Sequence, residues 1–518
     1  MASSPEVVII GSGIGGGTLA NRLVQYGLSV TILERGGFLP QEPQNWDVAS
    51  VFFDKRYVPR ETWLDKEGTP FRPGTYYYVG GSSKMYGAAM LRLRERDFQD
   101  LEHADGLSPA WPITYRQLAP YYDLAEQLYL VHGQAGVDPT EPPSIPPYPY
   151  PALDHEPVIQ KVASALNAQG INPFPLPLAV QRHEGGPCIR CKTCDGFPCK
   201  VHAKTDAEIA AVKPALATGK LTLTINAKAT RLLLTSDGGR VNSVEYEHNG
   251  HSERIAAPVV VLAASAVNSA VLLLRSACDR APRGAANSSG LVGRNYMAHN
   301  NTALMSVGWA INDTNFQKTL CINDFYFGDA AFKYPMGNIQ GLGKLQTGML
   351  TANQKYLPNF VGDLMAQRSV DWWIMSEDLP DPENRVIVQG DKIRLHYTPN
   401  NLAGHMRLSK RAASLMRNIG FRLNITKHMG GLSVSHQCGT VRFGSDASKA
   451  ALNQFCRSFD HDNLFVVDAS FFPSSAAVNP ALTIAAQAIR VADHMAQADF
   501  GLTPIISAQQ PYQKLRSD

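Results

Sequence analysis

A doubly wound α/β fold is predicted by a glycine-rich turn near the start of the chain and by two later strand-to-helix patterns. Val7–Ile10 is a continuous apolar run, as expected of a strand buried on both faces. Gly11, Gly13 and Gly16 follow as G-x-G-x-x-G and lead into a helix predicted over residues 18–26. Apolar strands predicted over 259–263 and 464–468 also precede helices, so the same sheet is expected to recur along the chain.

The glycine-rich turn is typical of dinucleotide binding. Its first glycine allows a tight turn, the second lets the backbone approach a pyrophosphate, and the third lets the helix pack closely on the sheet. A second strand is predicted over residues 28–33, and Glu34 at its end can accept hydrogen bonds from a ribose 2′-hydroxyl. This carboxylate would repel a 2′-phosphate, which disfavours NADP and leaves NAD and FAD open.

Composition indicates a globular protein with two or three core-forming units. The chain has 518 residues and a net charge of +3 without a long run of one sign, so neither nucleic acid nor an anionic membrane is expected as a partner. No secretory signal is visible, and the longest apolar stretch, 259–274, is interrupted by polar residues and is too short to span a bilayer. A soluble, cytoplasmic protein is expected.

Four of the eight cysteines lie in one loop with the spacing C-x2-C-x2-C-x4-C: Cys188, Cys191, Cys194 and Cys199. An iron–sulfur cluster would need all four thiolates in a tight arc, and structural zinc usually takes ligand pairs from more distant positions. Plain thiols or a local disulfide are therefore favoured over a cluster or zinc, and no metal site is expected.

Between residues 300 and 425 the pattern changes to antiparallel strands. Strands are predicted over 302–309, 371–375, 385–388 and 393–397, all in one separate sheet, with a helix over 402–418 beside it. Trp372 and Trp373 are neighbours on one strand, so they point to opposite sides and at most one can face a ligand. Earlier in the chain, a proline-dense covering loop is expected over residues 139–151.

Three C-terminal stretches stand out together, around His436 (435–440), Asp468 (463–470) and Asn479 (478–483). With these stretches included, the chain resembles the glucose-methanol-choline (GMC) family of flavoprotein oxidoreductases. Other matching segments follow in the family's order over nearly the whole chain: the N-terminal turn with Glu34, residues 80–83, 227–231 and 261–264, and 293–295 with His299. The resemblance implies FAD-dependent oxidation of an alcohol by a doubly wound FAD-binding domain with an α+β substrate domain on an antiparallel sheet.

The resemblance further implies that His436 and Asn479 form the catalytic pair facing the flavin. A neutral imidazole can take the hydroxyl proton of an alcohol while its hydride passes to the flavin, and an amide can orient that hydroxyl. The motifs and the resemblance together assign a set of cofactor-binding residues: Gly11, Gly13, Gly16, Glu34, Gly81, Ser82, Met85, Tyr86, Ala229, Ala264, Asp468, Ala469, Pro480 and Thr483. The FAD-binding domain is expected over 1–100, 200–299 and 450–518, a cap with the proline-rich and cysteine-rich loops over 101–199, and the substrate-binding domain over 300–449.

Within the family, residues 111–114 and 119–122 resemble those of pyranose oxidases and related glycoside oxidases. Pyranose 2-oxidases usually carry a histidine that binds FAD covalently where this chain has Met85, so FAD is expected to be non-covalent. The difference weakens the resemblance to pyranose 2-oxidases and leaves room for a glycoside 3-oxidase. The expected reaction is oxidation of a secondary hydroxyl of a sugar or glycoside at C2 or C3, C-glycosides included, with O2 or a quinone as electron acceptor. A hydroxynitrile lyase and a dehydrogenase linked to a quinone or partner protein are the alternatives.

Overall fold

The computed structural model describes residues 4–142, 145–351, 358–431 and 436–505, and a five-stranded parallel sheet lies at its centre. The remaining residues, which include Ser435 and parts of the predicted proline-dense loop and terminal segments, lie outside this description. From one edge to the other, the strands are Leu221–Thr224, Val30–Leu33, Val7–Ile10, Val259–Leu262 and Leu464–Val466. When the strands are numbered by their order in the chain, they lie across the sheet as 3-2-1-4-5, so the order reverses beside Val7–Ile10. This is the topology of a doubly wound sheet, and the predicted fold is confirmed.

Two long helices pack together beside this sheet. Ile14–Gln25 begins directly after Gly13, earlier than the predicted start at residue 18, because Gly15, Gly16 and Gly17 are part of the helix. Ala481–Phe500 crosses it, and a buried ion pair with 2.7 Å between Arg22 Nε and Asp493 Oδ1 joins the two helices. The first helix is thereby held with its N-terminus at the carboxyl end of the first strand.

A six-stranded sheet forms the second layer of the molecule, and the helix Leu402–Asn418 packs against it. Five of its strands come from the predicted antiparallel region, in the spatial order Leu423–Met429, Asn300–Val307, Ser369–Ser376, Asn338–Gly341 and Leu320–Ile322. The sixth, Phe174–Pro175, comes from the segment expected to be a cap. This sheet therefore crosses one of the domain boundaries expected from the sequence.

The prediction that residues 385–397 belong to the same sheet is wrong. The strands Arg385–Gln389 and Lys392–His396 do form the expected hairpin, but they pair with Trp63–Leu64 and Pro70–Phe71 in a separate four-stranded sheet. The reason lies in packing: the apolar side chains of the hairpin form one cluster with the fully buried Trp63.

The other described elements connect these layers. A three-stranded antiparallel sheet contains Ala227–Leu234, Val241–His248 and His251–Ile255, and two small strand pairs are Leu101–His103 with Gly106–Ser108 and His132–Gly133 with Tyr150–Pro151. The remaining α-helices are Tyr115–Leu128, Pro157–Asn167, Lys213–Ala217, Ala266–Arg275, Thr347–Thr351 and Asn359–Ala366. Among the described residues, no helix has both the length and the apolar character needed to cross a bilayer.

Candidate active site

A cavity of about 1450 Å³ opens at the carboxyl ends of the central parallel strands. Its wall includes the end of the first strand at Ile10, the end of the second at Leu33 and the residues that follow Val259–Leu262. This is the position where the strand order reverses, which is where doubly wound sheets bind their ligands. At its other end the cavity reaches the six-stranded sheet at Ala303, Met305 and Trp373.

The glycines of the N-terminal turn fall into two kinds. A Cβ atom on Gly11, Gly15 or Gly16 would lie between 2.1 and 2.3 Å from a backbone carbonyl oxygen, so these three are required by the fold itself. Gly13 differs, because its Cβ would meet only Gly81 Cα at 4.0 Å and would otherwise extend into the cavity. The space beside Gly13 matches the close approach that a pyrophosphate requires.

Glu34 is buried at the end of the second strand, where it also lines the cavity. Its Oε2 accepts hydrogen bonds from the amide (3.0 Å) and hydroxyl (2.6 Å) of Ser12, and Oε1 accepts one from the Gly36 amide at 3.0 Å. Burial raises the pKa of Glu34, an effect that these three hydrogen bonds oppose. Oε1 receives one bond here, so it retains capacity for a ribose hydroxyl.

Two further segments present polar backbone or carboxylate groups to the cavity. Ala229 lies at a β-bulge, where the register shifts from the Ala229–Tyr246 pair to the Arg231–Glu245 pair; a bulge leaves backbone groups outside the ladder that can bind a planar base. Asp468 accepts hydrogen bonds from the Ser269 hydroxyl and from the Ser470 amide, and burial raises its pKa.

The predicted glycine turn at residues 80–83 folds into a short 3-10 helix, Gly81–Lys84, which the buried Lys84 anchors. Its Nζ lies 2.9 Å from Asp206 and 2.6 Å from Glu208. The Gly80 amide donates to Ser12 Oγ at 3.1 Å, which ties this turn to the first one. Both turns therefore face the same end of the cavity.

Most residues assigned to the cofactor from the sequence line this cavity: Gly11, Gly13, Glu34, Gly81, Ser82, Met85, Tyr86, Ala229, Ala264, Asp468, Ala469 and Pro480. Gly16 lies behind the wall, in the close helix-to-sheet contact expected of it. Thr483 was also assigned to the cofactor, but it does not line the cavity. Its buried hydroxyl is 2.8 Å from the Tyr122 hydroxyl, where helix Ala481–Phe500 packs on Tyr115–Leu128.

The cavity wall at this end has the groups that FAD requires. The space at Gly13 and the N-terminus of helix Ile14–Gln25 suit the pyrophosphate, Glu34 suits a ribose and the bulge at Ala229 suits an adenine edge. The N-terminus of Ala481–Phe500 also opens into the cavity beside Asn479 and Pro480, where its partial positive charge would stabilise electron density on a reduced ring.

His436 and Asn479 both line the cavity, so the structure brings the predicted catalytic pair into one site. Each of the two contacts a buried polar side chain. His436 Nδ1 lies 3.1 Å from Nδ1 of His299, and Gln340 Nε2 donates to Asn479 Oδ1 at 3.1 Å. Burial, with smaller contributions from His299 and Lys318, lowers the pKa of His436 to about 3. The imidazole is therefore neutral, and able to accept a proton, over the physiological pH range.

Many apolar side chains of the cavity wall come from the six-stranded sheet and nearby helices. Trp373 lines the cavity, held by a 2.9 Å hydrogen bond from Nε1 to Asn301, whereas Trp372 is buried in the core, which confirms that at most one of them faces the site. The apolar side chains here are Met305, Leu342, Leu345, Met349, Leu350, Met365, Leu423, Ile425 and Met429.

Two lysines in the cavity wall were not predicted from the sequence. Lys318 pairs with Asp195, and Lys344 donates to the carbonyl oxygens of Asn312 (3.3 Å) and Ser369 (3.0 Å). Burial lowers the pKa of Lys344 to about 8. Sequence reasoning also missed Ser12 and Gln340; only Ser12, inside the glycine motif, could have been found from its position.

The cysteine loop lies at the edge of this site, since Cys194 lines the cavity. All four thiols of the loop are free and half-buried. In the described part of the chain, no three His, Cys, Asp or Glu side chains are grouped so that they could hold a metal ion. That the protein contains no iron or zinc stays a prediction for elemental analysis.

The family is settled by comparison with known proteins. Models of the N-terminal and C-terminal parts of the GMC oxidoreductases match residues 71–301 and 392–488. The chain therefore belongs to the GMC oxidoreductase family, and the resemblance noted from the sequence is confirmed. It is an FAD-binding oxidoreductase that acts on CH–OH groups.

Individual relatives span almost the whole chain. Paromamine 6'-oxidase of Streptomyces fradiae is 29% identical over 521 residues, which is 95% of this chain and 91% of that protein. The fructose dehydrogenase large subunit of Gluconobacter japonicus is 28% identical, covering 95% of this chain and 97% of that subunit. The formate oxidase structure from Aspergillus oryzae superimposes with a TM-score of 0.66 at 14% identity, over 96% of this chain and 99% of that one, and shows the shared fold.

Proposed function

We propose that this protein oxidises a secondary hydroxyl of a sugar or glycoside, at C2 or C3 and with C-glycosides included, to a keto-sugar. The observation that carries the proposal is the pairing of a neutral imidazole with an oriented amide at the catalytic end of the cavity. Because Gln340 donates to the Asn479 oxygen, the Asn479 N–H groups remain to donate to a substrate hydroxyl. His436 then accepts the proton of that same hydroxyl.

These two contacts act on one oxygen atom in complementary ways. Asn479 holds the hydroxyl oxygen, and His436 removes its proton as the carbinol carbon is oxidised. FAD, when bound, supplies the acceptor for the hydride. Many of the side chains that line the cavity are apolar, and a site with less water strengthens the interaction of these two side chains with the charge that develops on the substrate oxygen.

A sugar or glycoside is the substrate class that the surroundings support best. Trp373 offers an aromatic face on which the apolar face of a sugar ring can stack, and the adjoining apolar wall suits an aglycone. Two relatives are named for sugar-type substrates, paromamine and fructose. The position oxidised is to be read from the product by NMR after turnover of free sugars, O-glycosides and C-glycosides.

The electron acceptor in this proposal is O2 or a quinone, since the relatives include both an oxidase and a dehydrogenase. Peroxide released per mole of substrate, compared with reduction of a quinone or dye under anaerobic conditions, separates the two. FAD is proposed to be non-covalent because Met85 occupies the position of the histidine that pyranose 2-oxidases usually link to FAD. Acid precipitation should then release intact FAD to the supernatant, and flavin in the pellet would contradict the proposal.

The decisive experiment is anaerobic reduction of the flavin by substrate in the FAD-loaded fraction. General-base assistance contributes about 10² to 10⁴ in rate, so His436→Ala should slow reduction by that order, and Asn479→Ala by less. His405→Ala is a matched control, because burial also lowers the pKa of His405 to about 3 but the residue is outside the cavity wall. Reduction of His436→Ala at the wild-type rate, or no bleaching of the wild type by any alcohol or sugar, would overturn the proposed function.

A further inference from the structure

We propose that His299 is a positioning residue that sets the tautomer of His436 and so makes Nε2 of His436 the proton-accepting atom. The inference rests on the proposed function of His436 as base. Its basis is a chain of two hydrogen bonds: Nδ1 of His436 lies 3.1 Å from Nδ1 of His299, and Nε2 of His299 lies 2.9 Å from the carbonyl oxygen of Ser475. His299 is only 1% exposed.

The positions of the protons follow from the end of this chain. A carbonyl oxygen can only accept, so Nε2 of His299 must carry the hydrogen that it donates to Ser475. Burial lowers the pKa of His299, and a neutral imidazole has one N–H group, which leaves Nδ1 of His299 as an acceptor. Nδ1 of His436 must therefore be the donor, and the lone pair of the neutral His436 ring is on Nε2.

His299 is held in a backbone conformation that non-glycine residues seldom adopt, with φ at 63°. The buried Asp378 stabilises this conformation by accepting from the amides of Ala298 (2.8 Å) and His299 (2.9 Å). The Tyr397 hydroxyl also donates to Asp378 at 3.0 Å. The ring of His299 is thus fixed by its backbone as well as by Ser475, as expected of a group whose orientation matters.

In the proposed step the O–H bond of the substrate breaks and an N–H bond forms at Nε2 of His436. FAD, when bound, would supply the acceptor for the hydride of the carbinol carbon, so the alcohol would lose two electrons and become a ketone. His436 becomes an imidazolium whose Nδ1–H still donates to His299. Among the described residues, the charged groups that act on this histidine pair are Asp378 and Glu377 beside His299 and Lys318 beside His436.

Three variants of His299 test the assignment by anaerobic flavin reduction in the FAD-loaded fraction. His299→Leu removes the acceptor, frees His436 to take the other tautomer, and should slow reduction by about 10- to 10²-fold, within the contribution of a general base. His299→Asn retains an acceptor oxygen near the position of Nδ1 and tolerates the left-handed conformation, so it should stay within a few-fold of wild type. His299→Asp adds a negative charge and should move the acid limb of the pH profile, which is expected near the lowered pKa of His436 at about 3, upward by about one unit or more, so both profiles are measured down to that pH.

The pH profile is the readout that a merely structural role would not move. The assignment is overturned if FAD-loaded His299→Leu reduces at the wild-type rate, if His299→Asn loses as much as His299→Leu, or if the profile of His299→Asp is unchanged. Should His299→Leu fail to retain FAD, the Asn and Asp variants decide the matter. Full activity of His436→Ala would instead overturn the proposed function, so the two failures are distinguishable.

Discussion

The two ends of the cavity are built in different ways. The nucleotide end uses backbone: the glycines of the first turn, the short helix Gly81–Lys84 and the bulge at Ala229 all bring main chain to the wall. The end proposed to be catalytic uses side chains from distant parts of the chain, and each side chain of the proposed pair is held by another, His436 by His299 and Asn479 by Gln340. A binding site formed by backbone is disrupted when a substitution adds a side chain to it. A site formed by side chains is disrupted when a substitution removes one of the hydrogen-bonding partners.

The largest effect is expected from Gly13→Val. The Cβ of the new side chain would meet only Gly81 Cα, at 4.0 Å, so the apoprotein should fold and melt at the wild-type apoprotein temperature while FAD content falls below about a tenth of the wild-type content. Absorbance of the flavin and thermal unfolding of both apoproteins measure this. Gly15→Val is the contrast: its Cβ would lie 2.2 Å from the Val467 oxygen, so the fold itself should fail. Equal FAD content in Gly13→Val and wild type would break the comparison.

Glu34→Ala should weaken FAD binding by about 10- to 10²-fold, because a hydrogen bond to a charged group contributes roughly 1.5–3 kcal/mol. The FAD-loaded fraction should still be reduced at the wild-type rate, since Glu34 is at the nucleotide end. Titration of the apoprotein with FAD measures the affinity, and stopped-flow reduction measures the rate of flavin reduction. Glu34→Gln, which keeps an acceptor oxygen for Ser12, is the control and should lose less affinity. A variant that keeps its FAD but cannot be reduced would place Glu34 in the chemistry instead.

Gln340→Glu should slow flavin reduction by about 3- to 10-fold without loss of FAD. A carboxylate cannot donate to the Asn479 oxygen, so the amide should turn and present its oxygen, rather than its N–H groups, to the substrate. In an Asn479→Ala background the same substitution should have no further effect, which a double-mutant cycle measures. Additive losses in the double variant would show that Gln340 acts independently of Asn479.

The smallest effect is expected from pH. The sequence alone suggests that reduction slows as the pH falls through the ordinary imidazole pKa near 6.5, which would mean about a thirtyfold loss at pH 5. Burial instead lowers the pKa of His436 to about 3, so the base stays unprotonated and the rate should change less than about twofold between pH 8 and pH 5. Stopped-flow reduction at saturating substrate tests this, and an acid limb near pH 6.5 would refute the lowered pKa.

The parts of the fold that could be predicted from sequence are those that depend on a few consecutive residues. The apolar strand Val7–Ile10, the glycines after it and Glu34 specify a local backbone path, and the structure has each of them at the expected place. The hairpin of residues 385–396 was predictable for the same reason, since its turn is local. Its sheet was not, because that depends on contacts with Trp63, which is more than 300 residues away in the chain.

The sequence by itself determined the class of fold, the dinucleotide turn and, through motif order, the family, and it supplied the prediction that His436 and Asn479 form a pair. Only the tertiary structure decided that Thr483 faces Tyr122 and that the hairpin joins Trp63. It alone also decided that His436 and Asn479 contact partners 137 and 139 positions away. The physical reason is range: strand and turn preferences act between residues a few positions apart. The orientation of an imidazole or amide in the site is set by whichever polar atom the folded chain brings within hydrogen-bonding distance of it.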